Sequence, residues 1–86
     1  MKHAGPEALD QLEEVLERVR KHESLRERKR GAFYLKSQGF LHFHEDPAGL
    51  FADLKIGTRY ERFRVTTKAE RLKLVAKIHA LLKRQT

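Results

Sequence analysis

Two histidines, His42 and His44, stand on either side of Phe43 in a segment that alternates like a β-strand. Side chains two residues apart on a strand point to the same face, so both imidazoles could bind one metal ion. Asp53, which we expect across from His42 on the next strand, could supply a third ligand. Nearby positive charge repels cations, however, and Arg62 is expected beside Asp53. We therefore predict cross-strand pairing of His42, Asp53 and Arg62, with no metal and no other cofactor.

The same residues could also support catalysis. His42 would act as a general base, and Asp53 would orient its ring. Arg62 or Arg64 would hold an anionic group, as in a small basic ribonuclease. The sequence contains no phosphate-binding loop, dinucleotide fingerprint or Ser-His-Asp arrangement to strengthen this interpretation. We predict that the protein is not an enzyme, with a ribonuclease-like activity as an alternative.

Length and composition point to one small domain covering residues 1–86. The sequence has no cysteine, which removes disulfides, thiolate zinc sites and thiol catalysis. No apolar run approaches the roughly 20 residues of a membrane span, and the acidic N-terminal stretch does not resemble a signal peptide. We predict a cytoplasmic protein that does not contact a membrane.

The net charge of +7 is unevenly distributed. Residues 18–30 contain seven Lys or Arg against two Glu, and residues 66–86 contain six against one. A basic domain attracts nucleic acids and other polyanions. A solvated surface rich in ion pairs would explain the same composition.

Apolar periodicity predicts a helix at each end of the chain. Pro6 suits the first turn of the N-terminal helix, and apolar residues then recur at helical spacing as far as Val19. Thr67 and Glu70 match a capping box that would begin the C-terminal helix.

A second, shorter helix is expected over about residues 24–30. Ser24 and Glu27 match another capping box, and Gly31 would end the helix. Its basic side chains would add phosphate contacts if the partner is a nucleic acid.

Between these helices the apolar period changes to two, which predicts β-strands. Four strand-like runs occupy residues 32–36, 40–45, 50–56 and 59–65, with short turn sequences between them. Such short turns allow only antiparallel hairpins, so the predicted sheet is a meander.

The turns predict how the strands pair. A three-residue loop ending at Gly39, which would adopt a positive φ, pairs Leu35 with Leu41. A type I turn with proline in second position follows at residues 46–49, and a two-residue turn at residues 57–58. These pairings agree on one apolar inner face, which comprises Phe33, Leu35, Leu41, Phe43, Leu50, Ala52, Leu54, Phe63 and Val65.

We therefore predict an α+β fold in which the N-terminal and C-terminal helices pack on one face of a four-stranded antiparallel meander, in the order α-(α)-β-β-β-β-α. The opposite face, called the outer face below, combines four aromatic rings with bases and histidines. A surface that meets only water rarely carries four large rings, so we predict a contact surface. Its predicted members are Tyr34, Lys36, Phe40, His42, His44, Phe51, Asp53, Lys55, Tyr60, Arg62 and Arg64.

Two kinds of partner fit such a surface. Aromatic residues and arginines are typical of protein interfaces, so the leading prediction is a non-enzymatic module that binds a protein partner or a second copy of itself as a homodimer. Rings interleaved with bases on a sheet also bind single-stranded DNA or RNA, which is the alternative.

The central region combines the run FLHFHEDPAGLFADL at residues 40–54 with ERF at residues 61–63 and VTT at residues 65–67. In this combination it resembles a family of short bacterial proteins of uncharacterised function. The resemblance covers about residues 31–75. It implies a bacterial protein and no particular activity, cofactor or site.

Overall fold

The computed structural model describes residues 1–84, which form an α+β fold with an antiparallel sheet and helices toward both ends of the chain. The predicted fold class is confirmed, but the sheet has six strands where we predicted four. Five of them follow the order β2-β3-β4-β5-β6, and β1 pairs with β4. The strands are β1 Lys2–His3, β2 Leu25–Lys29, β3 Ala32–Leu35, β4 Gln38–Asp46, β5 Gly49–Ile56 and β6 Arg59–Arg64.

The helices are α1 Pro6–Gln11, α2 Glu13–Arg20 and α3 Lys68–Lys83. The predicted N-terminal helix is thus divided in two at Leu12. Helix α3 begins with the predicted capping box, in which the Thr67 hydroxyl accepts from the Glu70 N–H and the Glu70 carboxylate accepts from the Thr67 N–H. This reciprocal pair satisfies two N–H groups that the first helical turn would otherwise leave unbonded.

The short helix predicted over residues 24–30 is wrong, because Leu25–Lys29 is the edge strand β2. Glu27 does not cap a helix. Its carboxylate accepts from the Arg20 side chain at 2.6 Å and from the Gly31 N–H at 2.8 Å. Pairing with β3 and the bond to α2 are tertiary interactions, and they override a local capping signal.

Two of the predicted hairpins are confirmed. Strand β4 pairs with β5 through Leu41–Leu54 and Phe43–Ala52, and β5 pairs with β6 through Ala52–Phe63. The turn from Asp46 to Gly49 and the turn at residues 57–58 are the ones predicted, and alternation of apolar residues keeps the register.

Strands β3 and β4 form the predicted antiparallel hairpin, but its predicted loop and register are wrong. Its loop is the two residues Lys36 and Ser37, whose φ values are 51° and 68°, and Leu35 pairs with Gln38. Positive φ at both loop positions matches the twist of the paired strands. Here two residues other than glycine adopt that conformation. Gly39 lies within β4 and is not among the residues with positive φ.

A β-bulge follows this turn. Phe33 pairs with Leu41 and Tyr34 with Gly39, which leaves Phe40 as the extra residue on β4. Phe40 and Leu41 are consequently both buried, with 3% and 0% of their surface exposed. The prediction that Phe40 lies on the outer face is therefore wrong.

The core lies between the inner face of the sheet and the helices. Buried residues of all three helices join one cluster with inner-face residues such as Leu41 and Leu54. The helices contribute to that cluster Ala8, Leu9, Val15, Leu16, Val19, Leu74, Ile78 and Leu82, and Leu12 joins it from the junction of α1 and α2. Within residues 1–84 no helix therefore lies on the outer face.

Candidate nucleic-acid interface

Strand pairing defines the residues of the outer face. Side chains alternate between the two faces along a strand, and residues paired on neighbouring strands lie on the same face. Paired residues therefore form rows that extend across the sheet. The pairs place on the outer face His3, Arg26, Lys29, Ala32, Tyr34, Gly39, His42, His44, Phe51, Asp53, Lys55, Tyr60, Arg62 and Arg64. Arg28 is the unpaired extra residue between Glu27 and Lys29 on β2, and it joins this face through its contact with the Tyr34 ring. Nine of the predicted residues are in this set. Of the other two, Phe40 is in the core and Lys36 is exposed in the β3–β4 turn.

Asp53 is the carboxylate at the centre of this face. Its two oxygens accept from Arg62 Nε at 2.8 Å and from Arg62 Nη2 at 3.0 Å, which is a bidentate pair. His44 Nε2 lies 3.0 Å from the second oxygen. The hydrogen bond from Arg62 lowers the pKa of Asp53, and the charges of Arg62 and His44 lower it further against the effect of burial.

The predicted pairing of Asp53 with its neighbours is thus half right. Asp53 does pair with Arg62, but the imidazole that reaches it belongs to His44, although His42 is the directly opposed residue. The Asp53 carboxylate thus contacts the imidazole of His44, whereas the catalytic alternative has it orient the imidazole of His42.

Three histidines lie together on this face. The ring of His3 stacks on that of His44 with centroids 4.9 Å apart, since β1 brings His3 opposite His44. Burial lowers the pKa of His42, and charges on His3 and His44 lower it further. In the part of the chain that the structure describes, no group of three or more His, Cys, Asp or Glu side chains is arranged to hold a metal ion.

A row of rings crosses the sheet at its centre. The ring of His42 lies 6.0 Å from Tyr34 on one side and 5.8 Å from Tyr60 on the other. Gly39 lies beneath this row, because a Cβ added there would stand 2.5 Å from the Tyr60 hydroxyl oxygen and 3.0 Å from His42 Nε2. The absent side chain, and not a positive φ, is what this position requires.

Basic side chains surround the rings. The guanidinium carbon of Arg28 lies 4.6 Å above the ring of Tyr34. The side chains of Arg62 and Arg64 are about half exposed, at 53% and 51%, and Arg64 also lies 3.6 Å from Glu70 at the start of α3. The basic residues of this segment were predicted as phosphate contacts on a short helix, so Arg26 and Arg28 were not assigned to the outer face. The signal that could have found them is the alternation of Leu25 and Glu27 with these arginines.

Other bases of the same segment serve the fold. Arg30 pairs with Asp10 at 2.9 Å and with Glu13 at 2.8 Å. Arg20 lies between Glu13 and Glu27, at 2.6 Å from each. This network joins β2 to the N-terminal helices, so part of the positive charge in residues 18–30 is neutralised within the protein.

Comparison with family models, with curated proteins and with solved structures finds no match to this chain. The resemblance to a bacterial family therefore stays a prediction. Within residues 1–84, no helix is both long enough and apolar enough to span a membrane.

Proposed function

We propose that this protein is a non-enzymatic binding module whose outer face binds single-stranded nucleic acid. The observation that carries the proposal is the interleaving of aromatic rings with basic side chains on a sheet face free of helices. Exposed aromatic rings offer stacking surfaces to nucleobases, and the neighbouring basic side chains contact the phosphates between those nucleobases.

The charge of the outer face supports a polyanionic partner. Six basic residues belong to the face, namely Arg26, Arg28, Lys29, Lys55, Arg62 and Arg64, whereas Asp53 is its one carboxylate. Asp53 is already engaged by Arg62 and His44, so it offers little repulsion to a phosphate. The outer face therefore carries about five more positive than negative charges, six basic residues against one acid.

The homodimer predicted from the sequence is less well supported by this charge. A symmetric dimer brings the same patch of both copies together, so the excess positive charge would face itself. Like charges brought together across an interface oppose association. An acidic protein partner would complement the positive charge of the outer face, but the row of rings across the face favours flat nucleobases that can stack on it.

The proposal is tested by fluorescence anisotropy with labelled 12-nucleotide poly(U) and poly(dT) probes. Arg26→Glu on the outer face should weaken binding severalfold, because it reverses a charge that has no ion pair within the described residues. The control is Lys73→Glu, which makes the same change in net charge on the exposed side of α3 and should leave the affinity nearly unchanged.

Light scattering of the free protein measures its oligomeric state, which distinguishes nucleic-acid binding from homodimerisation. A monomer that binds the probes supports the nucleic-acid interface. A stable dimer that binds neither probe, and that dissociates in Tyr60→Ala, would support self-association through the outer face.

A further inference from the structure

A notch interrupts the sheet beside β4. Strands β3 and β1 both pair with the same edge of β4, while the other edge is occupied by β5. The β3 ladder ends at Phe33–Leu41, and the β1 ladder begins at His3–His44. Between them, a cleft of about 400 Å³ opens beside His42.

The lining of this notch combines flat rings with apolar and basic groups. His3, Tyr34 and His42 contribute rings from the outer face. Leu9 and Phe43, both buried in the core, form an apolar floor. Its volume falls in the range of roughly 300–1,000 Å³ that is typical of small-molecule sites.

The charge of the lining is positive. Lys29 and Arg30 border the notch, and none of the residues that line it carries a carboxylate. Arg30 is held by Asp10 and Glu13, whereas no ion pair within residues 1–84 involves Lys29. Lys29 is therefore the cation available to a ligand.

We propose that this notch binds a single nucleotide, with the base against the rings of Tyr34, His42 and His3 and the phosphate at Lys29. A nucleotide unites the two chemistries that the lining offers, a flat heteroaromatic ring and an anion. If the nucleotide belongs to a bound strand, the inference rests on the proposed function. A free mononucleotide presents the same flat ring and the same anion.

The test is a titration with adenosine 5′-monophosphate, in which binding is monitored through the NMR chemical shifts of the protein. Saturable shifts are expected at the imidazole signals of His3 and His42, and adenosine or inorganic phosphate alone should bind more weakly. Lys29→Ala should weaken the affinity for the mononucleotide about tenfold, as loss of one charge-assisted hydrogen bond predicts. The matched control, Lys73→Ala on α3, should bind as the wild type does.

A parallel titration with 12-nucleotide poly(U) distinguishes the two proposals. Mononucleotide binding that depends on Lys29 supports the notch, whether or not the oligonucleotide binds, and the oligonucleotide arm then shows whether a strand or a free nucleotide is the source. If poly(U) binds while the mononucleotide leaves His3 and His42 unshifted, the notch proposal is overturned and the outer-face interface stands. If neither probe binds, both proposals fail.

Discussion

Arg28 on β2 lies over the ring of Tyr34 on β3, with its guanidinium carbon 4.6 Å from the ring centroid. A cation in this position is attracted by the electron-rich face of the ring, by about 0.5–1 kcal/mol at exposed sites. The contact also extends the outer face by one strand, because it holds a guanidinium from β2 beside a ring of β3. Arg28 thus joins the row of rings to the basic edge of the sheet.

Leu41→Ala should destabilise the protein strongly, because Leu41 is fully buried between the sheet and the helices. The expected loss is on the order of 2–5 kcal/mol, a large share of a small domain's stability. Tyr34→Ala removes an outer-face ring and should cost much less. Thermal melts of the two variants provide the measurement, and a larger loss for Tyr34→Ala would show that the two faces are exchanged.

The ion network that holds β2 should matter more than a simple surface pair. Arg20→Ala should reduce stability by about 1–2 kcal/mol, because it leaves the partly buried Glu27 without its main partner. Arg18→Ala removes only the contact with Glu14 at 3.6 Å and should have little effect. Urea denaturation compares them, and equal stability of the two variants would contradict this role of Arg20.

Gly39→Ala should separate binding from stability. An added methyl group would displace the Tyr60 hydroxyl, which is the end of a side chain that is 48% exposed and free to move. We expect a loss of stability below about 1 kcal/mol, but weaker binding of poly(U) because the row of rings is disturbed. In a Tyr60→Ala background, Gly39→Ala should reduce binding no further; an additional reduction would place its effect elsewhere.

The stability of the protein should fall as the solution becomes acidic, because protonation of His42 favours the unfolded chain. Burial lowers the folded-state pKa of His42 below its ordinary value of 6.5, so the unfolded chain takes up the proton more readily. The stability that this residue contributes is therefore present above about pH 6.5 and is lost as pH falls toward the lower, folded-state pKa. His22 acts in the same direction, because burial and His79 lower its pKa.

The measurement is the melting temperature at about pH 7.5 and about pH 5.5. His42→Gln should show a smaller decrease between these two conditions than the wild type, since glutamine does not titrate. An equal decrease in the two proteins would contradict the assignment to His42.

The parts of the fold that sequence reasoning predicted are those fixed by local signals that agree. In β4, β5 and β6 the turn residues from Asp46 to Gly49 and the alternation of apolar residues both specify one register. Strand β2 escaped prediction because Ser24 and Glu27 carry a helix-capping signal, whereas the strand depends on pairing with β3.

The candidate site was predictable to a similar degree. The row of His42, Asp53 and Arg62 follows from parity along the strands. The contact between Asp53 and His44 does not, because a choice between opposed and diagonal neighbours depends on side-chain rotamers. The burial of Phe40 depends on a bulge, which moves one residue to the opposite face without any change in the apolar pattern.

Tyr60 offers the clearest test of stacking. Tyr60→Ala should weaken poly(U) binding by about 1–3 kcal/mol, the usual contribution of one stacked base. Leu72→Ala is a matched control, because Leu72 is 45% exposed against 48% for Tyr60 but lies on α3. Equal affinities of the two variants would contradict stacking on Tyr60.

The salt dependence of poly(U) affinity is the sharpest test of whether the basic outer face binds a nucleic-acid strand. If four of the basic residues on the outer face displace counterions, the logarithm of affinity should fall with the logarithm of salt concentration with a slope of about −3. Raising the salt fourfold, from about 50 to about 200 mM, should then weaken binding about 50-fold, and Arg26→Glu should make the slope shallower by about one. A monomeric protein whose outer-face NMR signals do not respond to poly(U) even at the lowest salt would show that this face does not bind nucleic acid.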